Sequence, residues 1–476
     1  MPHGAHTMRG IDAECPITGQ GRSGREERGR GRRAGLASRV DCVLTRIDLR
    51  DQDLTPRELL DVVPRAEVNV SDALAVVEPI IADVRVRGEA ALKELAARFD
   101  GVDLAQVRVP EDAIGRALDE LDPAVRDGLE EAIDRVGRFH RATVPPPVDV
   151  ELAPGAVVSQ RWIPVGRVGL YVPGGLAVYP SSVVMNVVTA QAAGVPSIAV
   201  TSPPQREFGG LPHPTILAAC ALLGVTEVYA VGGAQAIGML AYGVEGLCEP
   251  VDVITGPGNV FVAAAKRAVN GVVGIDSEAG PTEIAVIADA TATPRWVAAD
   301  LLSQAEHDPM AGSVLITDSV ELAGEVERHL GLLVDETKHL ARTKEALSGR
   351  QSAVILTSGI DQSIAVADAY GAEHLEIHTA DAREVAGRIR NAGAIFVGGH
   401  SPVPLGDYLA GSNHVLPTGG TARFASGLGV TAFLKAVSFI DYSADALGAV
   451  GEKVVALAEA EDLPAHGAAI RARLDG

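Results

Sequence analysis

The sequence predicts an α/β protein, with two parallel-sheet domains set between helical N- and C-terminal segments. Three observations carry this. From about residue 165, short apolar β-branched runs alternate with helical stretches, and the rhythm starts afresh after residue 282. Helical periodicity fills the stretch before it and the stretch after it. Gly-rich turns follow several of the predicted strands.

The elements follow in order. Residues 71–99 read as a helix with the apolar stripe Val76, Val77, Ile80, Ile81 and Val84, continued by Leu92, Leu95 and Phe99 beyond Gly88. A second helix opens at Asp122-Pro123, a cap followed by proline at the first helical position, with the stripe Val125, Leu129, Ile133, Val136 and Phe139. Three prolines, Pro145, Pro146 and Pro147, end it. Residues 43–165 are thus expected to be helical and to pack with the second α/β domain. Strands are expected at 197–201, 227–231 and 251–255, with helices at 183–194, 215–224 and 260–269 between them. This first α/β domain spans 166–281. The second spans 282–430, with strands at 284–287, 313–317, 353–357 and 394–397 and helices at 296–306, 361–370 and 382–391. Strand, helix, strand in this rhythm gives a parallel sheet covered on both faces. Residues 431–476 are expected to be helical, broken at Pro464. The tripeptide Ala-Glu-His occurs at 305–307 and again at 372–374, which is too short to establish a duplication.

Composition narrows the function. Hydrophobic residues make up 47% and charged residues 22%, ordinary for a globular enzyme. A net charge of −21 argues against nucleic acid as the main partner. Residues 1–42 form a Gly- and Arg-rich basic tail without apolar periodicity, expected to be disordered and without a role in the fold. The side-by-side acids Glu26 and Glu27 count against a transit peptide. No apolar run reaches the roughly 18 residues of a membrane span. The four cysteines, Cys15, Cys42, Cys220 and Cys248, form no Cys-x-x-Cys pair, and a cytoplasmic protein with reduced cysteines is expected.

Two runs concentrate chemistry. Residues 304–307 (QAEH) place Gln304 and His307 three apart at the end of a predicted helix, on one face. Residues 406–408 (GDY) put Asp407 in an expected loop, with His414 seven residues on. An amide oxygen, a carboxylate and imidazoles without a thiol suit a zinc ion that holds and polarises a small polar substrate. The other reading of the same residues is a polar helix end with a capping histidine and a solvated loop carboxylate. Glu373 and His374 precede the strand Leu375-Glu376-Ile377 and point apart, which suits two separate proton transfers; a plain turn is the alternative. No predicted strand-to-helix turn carries the Gly-x-Gly-x-x-Gly fingerprint of dinucleotide folds. The turns at Gly174-Gly175, Gly232-Gly233 and Gly256-Pro257-Gly258 can bring backbone N–H groups to a ligand, or serve simply as tight turns.

Taken together, the runs 168–175 (VGLYVPGG), 232–235 (GGAQ), 256–259 (GPGN), 304–307 (QAEH), 373–376 (EHLE), 413–417 (NHVLP) and 465–466 (AH) resemble the histidinol dehydrogenase family, in that family's order and near its spacing. The resemblance covers all but the leading tail. It implies an incomplete Rossmann-like pair of domains, so the absent fingerprint is itself in keeping. It implies NAD contacted by Tyr171, Gln235 and Asn259, and one zinc per subunit held by Gln304, His307, Asp407 and His466. Thr282, His414 and Glu461 match substrate-holding residues, and Glu373 and His374 match the acid–base pair. The zinc ligands and His374 also belong to the substrate site. The family usually carries Ser where Thr282 stands; the hydroxyl is kept. The implied reaction takes L-histidinol to L-histidine with reduction of two NAD. The implied assembly is a homodimer in which the segment carrying Glu461 and His466 completes the partner's site. A related dehydrogenase of another small alcohol, or a non-catalytic NAD- or metal-binding protein, are the rivals. The presence of Glu461, His414 and every acid–base and ligand residue tells against both.

Overall fold

The computed structural model describes residues 44–66, 70–174, 178–278 and 280–474. The basic tail, Cys15, Cys42 and Gly175 lie outside the described residues. The chain opens with β1 (Thr45–Asp48), α1 (Pro56–Val62), α2 (Val70–Arg87), α3 (Glu89–Leu95), α4 (Glu111–Asp119) and α5 (Pro123–Ala142), then β2 (Val148–Ala153) and β3 (Ala156–Pro164). Next come β4 (Arg167–Tyr171), α6 (Pro180–Ala192), β5 (Ser197–Ser202), α7 (Pro214–Leu222), β6 (Val228–Ala230), α8 (Gly233–Tyr242), β7 (Val253–Thr255), α9 (Val260–Val269) and β8 (Gly274–Ile275). A second series holds β9 (Glu283–Ala288), α10 (Pro294–Ala305), β10 (Gly312–Thr317), α11 (Val320–Val334), α12 (Leu340–Ser348), β11 (Ala353–Leu356), α13 (Ile360–Tyr370), β12 (His374–His378), α14 (Ala382–Arg388) and β13 (Ala394–Val397). Last are α15 (Val403–Tyr408), β14 (Leu434–Tyr442), α16 (Ala444–Ala460) and α17 (Pro464–Leu474).

Two sheets are parallel throughout. The first runs β6-β5-β4-β7-β8 and the second β1-β11-β10-β9-β12-β13. Leaving out β1, the two have the same order: the series' first strand is central, its second and third lie to one side, its fourth and fifth to the other. Each sheet therefore has a switch point, between β4 and β7 in one and between β9 and β12 in the other. The inner strands β9 to β12 are buried along their whole length; β9, β10 and β11 accordingly read as near-continuous apolar runs, while β12 (HLEIH) buries polar groups at alternate positions. Helices cover both faces. One face of the first sheet packs on α4 to α7, the other on α2, α3, α8 and α9. The second sheet packs on α10 to α12 on one face and on α1 and α13 on the other.

Helix boundaries follow local chemistry. Asp122 accepts from the amides of Ala124 and Val125 at the start of α5, and Pro123 fits the first turn. The helix expected over 71–99 breaks at Gly88, whose φ of +56° suits glycine, and resumes as α3. Val76, Val125 and Phe139, at the margins of the predicted stripes, are exposed, so the buried faces are narrower than the stripes.

Three expectations need correction. Residues 43–165 are not all helical. β1 joins the second sheet beside β11, and β2 and β3 form an antiparallel hairpin. Nor do they pack on one domain: β1 and α1 belong to the second sheet, whereas α2 to α5 pack on the first. Residues 431–476 open with β14, which pairs antiparallel with β3 from Leu434↔Pro164 to Tyr442↔Ala156. Pairing with a distant segment decided β1 and β14, while β2 and β3 pair locally as a hairpin. The Ala-Glu-His repeat lies at the end of α10 in one copy and at the start of β12 in the other, so it marks no structural repeat.

Candidate active site

The proton-transfer residues stand at the amino edge of the second sheet. Thr282 immediately precedes β9. Glu373 immediately precedes β12, and His374 is its first residue. Because β9 and β12 are neighbours, the three side chains converge at the switch point. The Thr282 hydroxyl donates to Glu373 Oε2 at 2.5 Å, and the Glu283 amide donates to the same oxygen at 3.1 Å. Burial pushes the Glu373 carboxyl up to about 8, against the lowering effect of these two donors. His374 Nδ1 lies 3.8 Å from Glu373 Oε2. Burial, then the neighbouring His307, lowers the His374 imidazole to about 3, and neither ring nitrogen has a hydrogen-bond partner among the described residues. A neutral base with open lone-pair capacity thus sits beside a carboxyl poised near neutrality.

Gln304 and His307 come to the same edge because α10 runs back against β9. Gln304 is in the last turn of α10, and the His307 amide donates to its carbonyl at 3.2 Å. The Gln304 amide group donates to the Thr282 hydroxyl at 2.7 Å, leaving its buried Oε1 without a partner. Burial lowers the His307 imidazole. Asp407 lies in α15, not in the expected loop, and burial raises its carboxyl to about 6. His414 Nδ1 lies 2.9 Å from the Asp407 carbonyl, which can only accept, so Nδ1 carries the proton and Nε2 is left to accept from Ser182 Oγ at 3.3 Å. Burial lowers His414 to about 4.

An orphaned amide oxygen, a buried carboxylate and imidazoles held neutral are the donor set a zinc ion takes. Gln304, His307 and Asp407 therefore fit it on their own chemistry. His466 and Glu461 do not join them: both are exposed, Glu461 at the end of α16 and His466 in α17.

The three turns matched to NAD contacts lie at the carboxyl edge of the first sheet, around its switch point. Tyr171 ends β4 and accepts at its hydroxyl from the Gly233 amide at 3.2 Å; burial raises its phenol to about 12. Gln235 is in the first turn of α8 and buried. Asn259 caps α9, accepting from the amides of Phe261 and Val262, so its side-chain NH₂ is what remains for a ligand. Gly256 has φ +118°, and a Cβ there would meet the Tyr171 carbonyl oxygen at 2.0 Å. Glycine is what lets this turn close on β4. A cavity of about 110 Å³ joins the two edges, lined by Gly256, Gly258 and Lys266 on one side and Thr282, Glu373 and His414 on the other.

Sequence reasoning missed three supports. Lys266 donates to the Gly256 carbonyl at 3.1 Å and pairs with Asp276, which accepts from the Gly256 amide at 2.8 Å; both side chains are buried. A lone lysine in the apolar stretch of α9 was the available signal. Glu283, at the head of the apolar run of β9, faces Arg65 at 3.6 Å, and burial raises it to about 7. Ser182 carries no signal of its own.

The family model for histidinol dehydrogenase matches residues 63–474. The chain is 61% identical to the histidinol dehydrogenase of Thermobifida fusca over 91% of this chain and 98% of that relative. It is likewise 61% identical to that of Streptomyces avermitilis, over 90% and 98%. The crystal structure of histidinol dehydrogenase from Elizabethkingia anophelis superposes with a TM-score of 0.86 at 31% identity, covering 91% of this chain and 98% of that one.

Proposed function

Because the chain belongs to the histidinol dehydrogenase family and is an oxidoreductase, we propose that it converts L-histidinol to L-histidine, the end of histidine biosynthesis, in two successive oxidations. The observation that carries this is the placing, at one strand entry, of two buried groups able to take a proton, His374 and Glu373, with Nδ1 of one 3.8 Å from Oε2 of the other. One base for a hydroxyl and one for a water is what an alcohol-to-acid oxidation needs.

When bound, NAD supplies the hydride acceptor of each oxidation, and zinc supplies a Lewis acid that holds the substrate's imidazole and amino nitrogens. Gln304, His307 and Asp407 would hold the metal, with His466 of a second copy as the fourth protein ligand. Tyr171, Gln235 and Asn259 would contact NAD, making residues 166–281 the cofactor domain and 282–430 the substrate and metal domain. In the first oxidation His374 takes the hydroxyl proton while the carbinol carbon gives up hydride, leaving the aldehyde. Glu373, ionised, then takes a proton from water as the oxygen adds to the aldehyde carbon. The hydrate, formed as its monoanion, gives up a second hydride to become the carboxylic acid, which loses its remaining proton to solvent as the carboxylate. Thr282 and His414, with Glu461 from the second copy, keep the substrate in place, which protects the aldehyde from side reactions. A homodimer is supported by what the antiparallel sheet and α16 expose: Ile440 of β14 at 74%, Leu457 of α16 at 66% and Leu152 of β2 at 61%. The same reading puts the enzyme in the cytoplasm, in line with Cys220 and Cys248, both free and buried. No helix among the described residues is long and apolar enough to cross a membrane.

The test is stoichiometric. Purified enzyme given limiting L-histidinol and excess NAD should form two NADH per substrate, with histidine as product. One NADH with released aldehyde would sink the two-oxidation reading, and none would sink the activity.

A further inference from the structure

Behind the site lies a second polar cluster. β12 sends His374, Glu376 and His378 to one face, because alternate residues of a strand share a face. His374 belongs to the site; Glu376 and His378 continue the row inward. His378 Nε2 lies 3.1 Å from Glu376 Oε2 and 3.8 Å from Asp300 Oδ2. Asp300 stands on α10 one turn before Gln304. All three side chains are buried.

The donor atoms of this trio fall within 4.8 Å of one another, near enough for an ion. Their bonds point elsewhere. Glu376 Oε1 accepts from the Val403 amide at 2.8 Å, and its Oε2 is engaged by His378. Both Glu376 oxygens are thus engaged, unlike the Gln304 oxygen.

The bond to Val403 matters because of what α15 lacks. Its cap residue is Pro402, which offers no side-chain hydrogen bond, and its second residue is Pro404, which has no amide hydrogen. The Leu405 amide already donates to the Pro402 carbonyl. The Val403 N–H is therefore the orphan donor of the first turn, and Glu376 reaches from the sheet to satisfy it. Asp407 follows Val403 by one turn of the same short helix.

We infer that Glu376, braced by His378 and Asp300, is a positioning residue that fixes the first turn of α15 and thereby sets Asp407 against Gln304 and His307. The cluster ties together α10, β12 and α15, the elements that carry these residues and His374. The inference rests on the reading of Gln304, His307 and Asp407 as metal ligands.

The test compares full-length Glu376→Gln, Glu376→Leu and Val403→Pro with the parent enzyme. Gln keeps an acceptor for the Val403 amide, Leu removes it, and Pro removes the donor at a helix position that tolerates proline. The ψ of 155° at Pro402 suits a following proline. Two readouts are taken: amide exchange of residues 405–409 in the metal-free protein, and zinc affinity by chelator competition. Glu376→Leu and Val403→Pro should speed that exchange by at least about tenfold and weaken zinc by roughly 10–100-fold, as loss of an outer-shell support does. Glu376→Gln should stay within about threefold of the parent in both. If Leu at 376 prevents folding, Val403→Pro carries the comparison. Unchanged exchange, or faster exchange with unchanged zinc affinity, overturns the inference. A parent enzyme that binds no zinc overturns the metal reading instead, and the exchange data still decide whether Glu376 fixes α15.

Discussion

Thr282 donates its hydroxyl hydrogen to Glu373 at 2.5 Å while receiving one from Gln304 at 2.7 Å. One hydroxyl thus links the carboxyl assigned to water activation with the amide assigned to the metal. The bond lowers the Glu373 carboxyl against the raising effect of burial. Thr282→Val should let it climb above about 8, by roughly 1–2 units if a charge-assisted bond of ~1.5–3 kcal/mol is lost. The base is the ionised form, so the pH at which aldehyde oxidation reaches half its maximal rate should move upward. Thr282→Ser should leave it in place. A Val profile that overlays the parent would show that this hydroxyl does not tune Glu373.

Glu373→Gln should slow aldehyde-to-acid conversion far more than alcohol-to-aldehyde conversion, by about 10²–10⁴-fold for loss of a general base. Single-turnover measurements started from histidinol and from the aldehyde separate the halves. An equal fall in both would show that Glu373 and His374 do not divide the labour.

The Lys266–Asp276 pair predicts a stability effect that can be separated from its effect on the turn. Lys266→Met leaves Asp276 buried and unpaired, which should cost about 3–5 kcal/mol in denaturant unfolding. Adding Asp276→Leu should recover much of that loss. The KM for NAD should be raised in the single variant, where Gly256 loses the lysine, and stay raised in the double variant, where it loses both supports. A KM that recovers together with stability would separate this pair from the cofactor turn.

His140, which is assigned no chemical task, gives a pH signature of its own. It is 2% exposed, has no hydrogen-bond partner for either ring nitrogen among the described residues, and lines a cavity of about 270 Å³. Burial lowers its imidazole to about 4. Between pH 4 and the ordinary value of 6.5 the unfolded chain binds a proton that the native protein refuses, so this group's contribution is present above about 6.5 and is lost as pH falls toward 4. His140→Phe, with space beside it, should flatten the acid limb of the stability profile, by on the order of 2–3 kcal/mol at pH 4. Parallel profiles for variant and parent would show that His140 does not contribute to acid lability.

Glu461 and His466 are exposed in the single chain, while their proposed tasks lie in a buried site. Asp407→Ala and His466→Ala should each be inactive alone. After verified subunit exchange, a mixture should regain activity, because a mixed dimer can form one intact site of its two. No recovery would remove the cross-subunit assignment and leave the three-residue metal site standing.

Sequence order made much of this legible. The apolar runs of β9, β10 and β11 are near-continuous because both faces of those strands are covered, and this reads directly from composition, whereas β12 (HLEIH) does not show it. A spacing of three singles out Gln304 and His307; α10 ends at Ala305, and His307 follows it in a turn that its amide closes on the Gln304 carbonyl. What could not be read was pairing across distance. β14 meets β3 over nine residue pairs with some 270 residues between them, and nothing local in 434–442 specifies that partner. The hairpin did leave a trace, the alternation Val148-Asp149-Val150-Glu151-Leu152, which has the period of a strand. Asp407 looked like a loop residue because Pro402, Pro404 and Gly406 all disfavour helix; the turn forms with Glu376 from the sheet as its cap.

The shared strand order of the two sheets, with one contributing its carboxyl edge and the other its amino edge, separates two kinds of grip. The residues assigned to NAD, Tyr171, Gln235 and Asn259, all belong to the first sheet and its helices. The residues assigned to the reacting molecule within one chain, from Thr282 to His414, all belong to the second half. A four-electron oxidation has to discard a spent nicotinamide and admit a fresh one while a reactive aldehyde waits. In this arrangement no side chain assigned to the first of these tasks is assigned to the second. On these assignments the cofactor would be exchanged by one set of side chains while another set keeps the half-oxidised substrate in place.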